Sequence, residues 1–439
     1  MRIVLLFLVS LTATSAFANE TTQEDRLPEP LSLEAALTHI RLDHPLFESL
    51  RHNMKLADNN IDRARLGSSV NAWFKVDGRY ADKAVSPGTD FVNDSRLRFY
   101  IGKLLTDFGH SKHALEAAEF HRDSVQIAND WKKSLHGMDV MHKFLQVHLS
   151  DLRYFADDEL MTLSFFPYNR TLERMEKYEE FSLLTVKERE TRFRRKLKTR
   201  AATANSQRLT RNRLALAMGR PGQLADQVYT PDLSMYDRPV PDYDEILAEV
   251  LEKHPLMRVN HLLTEAARAR VGSAEKINRP RLSARFEAQE YERQSNSSNR
   301  DELLAGIELH LPLGGRQRRA VEVIKAESEY ERLLSDRRQF EFELRQEVLE
   351  LVMKLDELNF ALQAAMVNSE YRQLYLDRSR NLYEMEVRAD LGDSQARQAE
   401  AEWELKKVEY QRAVTWAKLD AMRGRQLAVL VKDNPNEDQ

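Results

Sequence analysis

Histidine is the residue type in this sequence with the widest range of possible chemistry, because its side chain titrates near neutral pH and binds metal ions. The 439 residues include 12 His and no Cys. His110 and His113 form the only closely spaced pair, and they lack the His-Glu-x-x-His context of a zinc enzyme. We therefore interpret this pair as a surface or packing feature rather than a metal site. No catalytic, phosphate-binding or dinucleotide-binding motif occurs elsewhere, so the sequence predicts no enzyme, no cofactor and no metal.

The composition excludes several further classes of protein. Without Cys there can be no disulfide, thiol catalyst or thiolate zinc site. A formal net charge of −4 argues against a nucleic-acid partner, which would require a basic surface. A mean hydropathy of −0.59 excludes a bundle of transmembrane helices. It is compatible with membrane strands, in which only alternate residues are apolar.

The N-terminus has the pattern of an export signal. Met1-Arg2 supplies a positive start, residues 3–11 are almost entirely apolar, and the Ala-Phe-Ala sequence at 16–18 matches a cleavage site. A membrane anchor would need roughly 20 apolar residues, and this run is shorter. We predict a signal peptide at 1–18, an N-terminal extension at 19–30 and a location outside the cytoplasm.

Short motifs recur at a nearly constant distance along the chain, which indicates an internal tandem repeat. The recurring positions are His44 and His254, Gly109 and Gly315, Tyr178 and Tyr383, and Gly219 and Gly424. We predict a first structural repeat at 31–222 and a second at 243–425. A Pro-bearing linker at 223–242 would join them, and a polar acidic tail would follow at 426–439.

Each repeat contains two segments in which apolar and polar residues alternate, as in amphipathic β-strands. They predict β-hairpins at 71–105 and 281–312. In the second repeat the apolar positions are Leu282, Ala284, Phe286, Ala288, Leu303, Ala305, Ile307 and Leu309. Strands of about ten residues have the length needed to cross a membrane.

Long helical segments follow each predicted β-hairpin and predict helical hairpins at 109–219 and 315–424. In the second of these, apolar residues spaced alternately by four and three form a heptad seam, which is typical of coiled coils. The seam residues are Leu344, Val348, Leu351, Leu355, Leu358 and Leu362. In the first, Pro167 is expected to break or kink the helix.

Four strands are too few to close a membrane barrel, because about eight is the smallest number known. An open sheet edge would leave backbone groups unsatisfied in lipid. Three copies would supply twelve strands, so the sequence favours a homotrimer in a Gram-negative envelope. The alternative architecture is a soluble sheet of two hairpins covered by helices.

Motifs in the same order resemble the TolC-like outer membrane efflux family. They are the Leu-Ser-Leu-Glu-Ala-Ala segment at 31–36, the turns at 106–109 and 312–316, and the Trp-Ala-Lys-Leu-Asp-Ala segment at 416–421. The resemblance implies a mostly α fold with a small transmembrane β part. A trimeric 12-stranded β-barrel, with four strands per chain, would cross the cell outer membrane, and a long α-helical barrel would continue it into the periplasm.

The resemblance also implies a function without catalysis. The protein would be the duct of a tripartite efflux or type I secretion system, and it would conduct substrate passively to the exterior. Its partners would be outer membrane lipid, a periplasmic adaptor and an inner-membrane pump of the RND or ABC type. Drugs, metal ions and polypeptides are all open as substrates. The alternative function is an exported coiled-coil adhesin or periplasmic scaffold without a pore.

Two hairpin ends would face the inner membrane in this family. The resemblance places the adaptor contacts at Ser182, Leu183, Leu184, Ala389, Leu391 and Gly392. The family's closed entrance is held by a Tyr and an Arg five residues apart, a spacing matched by Tyr383 and Arg388. Asp390 and Asp393 lie close by in the sequence and join the candidate gate. The other interpretation of these charges is a solvated hairpin tip.

Overall fold

The computed structural model describes residues 27–81, 92–292, 302–385, 391–425 and 427. The predicted signal peptide, residues 19–26 of the extension and nearly all of the predicted tail lie outside the described residues. Among the described residues, no helix has a stretch long and apolar enough to cross a membrane.

The described part of the chain is mostly helical. The helices are α1 (Leu33–Thr38), α2 (Pro45–Leu66), α3 (His110–Tyr178), α4 (Leu183–Ala217), α5 (Tyr243–Lys253), α6 (Pro255–Glu275), α7 (Arg316–Glu384) and α8 (Leu391–Met422). A single 3₁₀ turn at Ser234–Tyr236 lies in the linker. Two short helices, a β-hairpin and two long helices therefore follow one another in each half of the chain.

Four strands form one antiparallel sheet. They are β1 (Val70–Asp77), β4 (Arg96–Thr106), β5 (Arg281–Tyr291) and β6 (Glu302–His310), arranged in the order β1-β4-β5-β6. Two further strands, β2 (Tyr80–Ala81) and β3 (Val92–Asn93), pair separately at the far end of the first hairpin. The strands come from both halves of the chain, and β4 and β5 join the two hairpins.

The recurring His-Pro-Leu motif has a structural role at the start of α2 and α6. The Nδ1 atoms of His44 and His254 accept hydrogen bonds from the backbone N–H of Leu46 and Leu256, at 3.1 and 3.0 Å. Each His is therefore the N-cap of its helix. Proline occupies the first helical position, where its missing N–H costs nothing and its fixed φ angle favours the helix.

The turns that connect strand to long helix need a left-handed backbone. Gly109 and Gly315 precede α3 and α7 with φ angles of 97° and 90°, a conformation that side chains disfavour. The Asp107 carboxylate accepts hydrogen bonds from the backbone N–H of Gly109 and Ser111, at 3.2 and 2.8 Å. Burial would raise the pKa of Asp107, but the hydrogen bonds from Ser111 and these backbone groups hold it below its usual value.

α3 and α7 are each 69 residues long, which corresponds to roughly 100 Å. Pro167 does not break α3, which continues through it to Tyr178, and a kink at this position stays a prediction. The proline removes one backbone hydrogen bond, while the side chains of Thr171 and Arg189 donate to the Pro167 carbonyl at 2.6 and 3.2 Å. A single lost bond is insufficient to end a helix that is packed along its length.

The main core lies where the linker crosses the long helices. It contains Leu31, Phe144, Met218, Ile246, Leu344 and Trp416. Leu31 pairs with the linker through its N–H to the Gln227 carbonyl at 2.9 Å. Further along the linker, the Arg238 guanidinium lies 4.0 Å from the Trp416 ring centroid on α8. The linker thereby ties the start of the chain to its last long helix.

The fold confirms the sequence prediction of a mostly α chain with a small antiparallel sheet. In the predicted heptad seam, Leu344, Val348, Leu355 and Leu358 are buried. α3 ends at Tyr178 and α4 begins at Leu183, while α7 ends at Glu384 and α8 begins at Leu391.

His254 predicts a pH dependence of stability. Its ring is 2% exposed and lies 5.1 and 5.6 Å from the rings of Trp131 and Phe340. Burial lowers the pKa of His254 to about 4, and Glu347 opposes this only weakly. Between pH 6.5 and 4 the unfolded chain therefore binds the extra proton, so stability is lost as the pH falls through this window. The expected loss from pH 7 to pH 5 is about 2 kcal/mol.

Thermal unfolding at both pH values measures this loss. The His254→Asn variant keeps a good N-cap residue, and its thermal midpoint should fall less between pH 7 and pH 5 than that of the wild type. The matched control is His261→Asn, which changes an exposed His on the same helix and should retain the wild-type dependence. Equal falls in all three proteins would contradict the assignment.

Candidate functional site

On one face of the four-stranded sheet, two neighbouring rows of side chains are apolar across the whole width, and Lys103 and Glu290 lie in the rows that flank them. The strand register places Phe74 opposite Phe99, Phe99 opposite Ala288, and Ala288 opposite Leu303. This row therefore crosses all four strands. A parallel row consists of Ala72, Ile101, Phe286 and Ala305. Most of the large side chains on this face are exposed in the single chain, and an apolar surface of this kind requires an apolar environment.

The opposite face of the sheet is polar and carries ion pairs between each pair of neighbouring strands. They are Arg96 with Asp77 at 2.8 Å, Arg98 with Glu287 at 3.5 Å, and Arg285 with Glu308 at 3.3 Å. The rings of Trp73 and Tyr100 stack on the same face, with centroids 5.1 Å apart. Charges at this density favour water over lipid. The sheet can therefore separate an apolar medium from an aqueous one.

The two outer strands of the sheet have unpaired edges. β1 is paired only with β4, and β6 only with β5, among the strands that the structure describes. Each edge strand presents unpaired N–H and C=O groups to any strand that approaches it. The apolar face and the two open edges lie on the same sheet, so the chain alone does not complete this structure.

The end of the first helical hairpin exposes two leucines. Ser182 is the N-cap of α4 and accepts a hydrogen bond from the Thr185 N–H at 3.2 Å. Leu183 and Leu184 follow it, with 63% and 81% of their surface exposed. The Arg189 guanidinium lies 5.7 Å from the Phe181 ring centroid, a cation–π contact that stabilises the turn. This end of the hairpin therefore offers apolar side chains on a capped helix.

The end of the second helical hairpin is described on both sides of the turn. Tyr383 is exposed in the last turn of α7. Asp393 lies in the first turn of α8 and binds Arg397 at 2.7 Å, an interaction that raises the pKa of Arg397. Leu391 is half-buried beside it. Of the other predicted gate and contact residues, Arg388, Ala389 and Asp390 lie outside the described residues.

Gly392 packs closely against the first hairpin. A Cβ atom at this position would lie 2.2 Å from the Leu163 side chain on α3. Nearby, the hydroxyls of Ser394 and Ser379 form a hydrogen bond of 2.8 Å in a buried position. Gly392 is therefore part of the packing between the hairpins as well as part of the tip.

The histidine pair packs against α6. His110 Nδ1 lies 2.9 Å from the Ser273 carbonyl, and His113 Nε2 lies 2.6 Å from the Lys276 Nζ. Over the described ranges, no group of His, Asp or Glu side chains could hold a metal ion.

Sequence reasoning missed a second apolar seam on α7. Met353, Phe360, Val367 and Leu374 recur every seven residues, and all four are exposed in the single chain. They lie apart from the buried seam that packs within the chain. A heptad repeat of this kind is typical of a helix that packs against another helix, and the seven-residue spacing was the available signal.

Known proteins share features of this sequence and fold. Residues 246–425 match the family model described as "Outer membrane efflux protein". No curated protein matches the sequence. Among solved structures, the fold is similar to the Campylobacter jejuni CmeC outer membrane channel, with a TM-score of 0.74 and 10% identity over 90% of this chain and 86% of that one.

Two further structures are similar. The Neisseria gonorrhoeae MtrE outer membrane channel, in its open state, has a TM-score of 0.70 and 16% identity, covering 90% of this chain and 89% of that one. The Vibrio cholerae outer membrane protein VceC has a TM-score of 0.68 and 16% identity, covering 90% and 96%. The family model and the fold confirm the resemblance to the TolC-like outer membrane efflux family.

Two tip variants should differ in stability. Gly392→Glu forces a side chain against Leu163, and overpacking of this kind costs about 1–3 kcal/mol. Leu184→Asp changes a side chain that is already exposed, so its thermal midpoint should remain near the wild-type value. Thermal unfolding of the purified variants measures the midpoint of each. A lower midpoint for Leu184→Asp than for Gly392→Glu would contradict this account.

Proposed function

We propose that the chain is the outer membrane duct of a tripartite efflux or type I secretion system. The match to the outer membrane efflux protein model and the TolC-like fold support this proposal. The duct conducts substrate passively from the periplasm to the exterior. The observation that carries this proposal is the sheet, which has one apolar face, one charged face and two open edges.

Three copies satisfy the sheet edges. When β6 of one copy pairs with β1 of the next, the three sheets close into a barrel of twelve strands, an even number within the range of known membrane barrels. Closure satisfies the edge backbone groups that lipid cannot. The apolar rows then face lipid, and the interstrand ion pairs line an aqueous pore.

The helices support the same threefold assembly. α3 packs against α4 and α8, and α8 packs against α7. The order is therefore α4-α3-α8-α7, with α4 and α7 at the two edges. In a ring of three copies, the exposed seam of α7 packs against α4 of the neighbouring copy and buries Phe360, which is 73% exposed in one chain. The ring of hairpins is the proposed α-helical barrel.

The two halves of the chain derive from a tandem repeat in this proposal, with boundaries at 31–222 and 243–425. Motif spacing and the shared order of elements support it. His44 and His254 occupy equivalent positions, and each caps the second helix of its half through the same kind of hydrogen bond. Duplication gives each copy two hairpins of each kind, and the trimer therefore has sixfold pseudosymmetry.

The hairpin ends bind a periplasmic adaptor, which couples the duct to an inner-membrane pump of the RND or ABC type. Ser182, Leu183, Leu184, Ala389, Leu391 and Gly392 form this contact in the proposal. The exposed leucines of the first tip support it, because an apolar side chain held on a capped helix suits a protein partner. Energy comes from the pump, so the duct itself needs no catalytic residue.

Assembly can be tested with a charge on the apolar face. Ile307 is 70% exposed in one chain, and Ile307→Arg should cost about 2–4 kcal/mol per copy at the middle of the bilayer. The trimer should therefore be depleted in outer membrane extracts analysed by native mass spectrometry. Gly306→Arg is the matched control, because it adds the same charge to the polar face, where a side chain has open space. Normal assembly of Ile307→Arg would place that face away from lipid.

The gate can be tested by conductance. Tyr383, Arg388, Asp390 and Asp393 close the periplasmic entrance in this proposal, and the first two bind neighbouring hairpins. A hydrogen bond to a charged group contributes about 1.5–3 kcal/mol, and threefold symmetry applies it three times. The double variant Tyr383→Phe/Arg388→Ser should therefore raise the single-channel conductance of the purified trimer in planar bilayers.

Tyr371→Phe is the control for this experiment, since Tyr371 is another exposed tyrosine of α7 and should leave the conductance unchanged. An unchanged conductance in the double variant would remove Tyr383 and Arg388 from the gate. A trimer that conducts no current in any variant would instead favour the alternative of an exported scaffold without a pore.

A further inference from the structure

A cavity of about 440 Å³ lies between α3, α4, α7 and α8. Its apolar lining includes Leu149, Val414 and the half-buried ring of Trp403, with the buried Tyr410 beside them. A volume of this size is within the range of sites that take small organic molecules. The cavity is separate from the sheet and from the hairpin ends.

The charged residues that line the cavity are all basic. Arg153, Lys354 and Lys407 line it, and no Asp or Glu does so in the described chain. Arg153 is held by Asp157 and Glu400, each at 3.2 Å. Lys354 pairs with Glu357 at 2.9 Å. These two cations are therefore largely compensated from outside the cavity.

Lys407 differs from the other two cations. It forms no ion pair with a carboxylate in the part of the chain that the structure describes, and its Nζ lies 5.1 Å from the Trp403 ring centroid. The Arg153 guanidinium lies 4.9 Å from the same centroid. Trp403 therefore contacts two cationic groups, and Lys407 supplies a positive charge without a carboxylate partner in the described chain next to an aromatic surface.

Neutral polar groups complete the lining. The Ser150 and Thr210 hydroxyls are hydrogen-bonded at 2.9 Å between α3 and α4, and Gln146 and Gln411 line the cavity nearby. Both hydroxyls also donate to backbone carbonyls, so the side-chain amides of Gln146 and Gln411 are the neutral groups that can donate to an anion without adding charge. The cavity thus combines apolar walls, a Lys407 ammonium with no carboxylate partner among the described residues, and neutral amide donors.

Two lining residues of α8 lie far from the linker around that helix. On α8, Arg412 donates to the Tyr236 carbonyl of the linker at 2.9 Å, and Trp416 lies beneath Arg238. Trp403 and Lys407 lie roughly 140–180° around the same helix from those residues, at 100° per residue. Trp403 and Lys407 therefore lie on the face of α8 that is turned away from the linker. In the proposed duct, that face is the one turned towards the channel.

We propose that this cavity binds amphipathic organic monoanions, such as aromatic carboxylates or sulfonates. The apolar body packs on Trp403, Leu149 and Val414, and the anionic group binds the Lys407 ammonium. Binding itself needs only the fold. The consequence, that such anions contact the duct wall during transport, deepens the proposed function and rests on it.

Calorimetry on the detergent-purified full-length protein tests the site with naphthalene-1-sulfonate as the probe. The probe should bind, whereas the neutral naphthalene-1-sulfonamide and the cationic 1-naphthylmethylammonium should bind much more weakly. Lys407→Gln should weaken binding of the sulfonate about tenfold, which corresponds to roughly 1.4 kcal/mol. Trp403→Leu should weaken all three compounds, because it removes the aromatic wall.

Lys406→Gln is the matched control. Lys406 is adjacent on α8, pairs with Glu409 at 2.7 Å and does not line the cavity, so its removal should leave the affinity unchanged. Equal affinity of wild type and Lys407→Gln, or equal affinity for the three compounds, would overturn the proposal. The duct is judged separately by bilayer conductance. Absence of probe binding in a conducting trimer would overturn the cavity site alone, and binding by a protein that lacks conductance both as wild type and as Tyr383→Phe/Arg388→Ser would overturn the duct alone.

Discussion

The unpaired edges of β1 and β6 are the constraint on which the rest of the arrangement depends. A sheet with one apolar face is stable next to lipid only when its edge backbone groups are satisfied, and a single chain has four main strands with two open edges. In the proposed trimer, the symmetry that closes the sheet also brings α7 of one copy beside α4 of the next. One assembly thus satisfies both the backbone groups of the sheet and the apolar seam of the helices.

Much of this fold could be predicted from the sequence, because its two periodicities are strong and uninterrupted. Alternation at period two located both β-hairpins, and the seven-residue spacing of Leu344, Leu351 and Leu358 located the packing face of α7. Pro167 does not end α3, contrary to one of the two outcomes expected from the sequence, and the reason is physical. The cost of a proline in a helix is local, at about 3 kcal/mol, whereas the packing that stabilises α3 extends along the whole helix and comes from residues distant in sequence.

The candidate site was less predictable, since it depends on contacts between helices that lie far apart in the chain. Arg153 and Trp403 are on different helical hairpins, and nothing in either local sequence indicates that they meet. Gly392 was recognised as a tip residue, but its contact with Leu163 could not be foreseen. By contrast, exposure of Leu183 and Leu184 follows directly from their position after a cap residue at the end of a hairpin.

The linker has a mechanical consequence for the long helices. His148 on α3 lies 3.0 Å from the Thr230 hydroxyl of the linker, and the helix continues from there to Tyr178, a distance of about 45 Å at 1.5 Å per residue. A helix held at this point behaves as a lever. A tilt of about 5° at the linker displaces the far end of the helix by roughly 4 Å over that length. A small rotation of α3 in the core can therefore form or break side-chain contacts at the hairpin end.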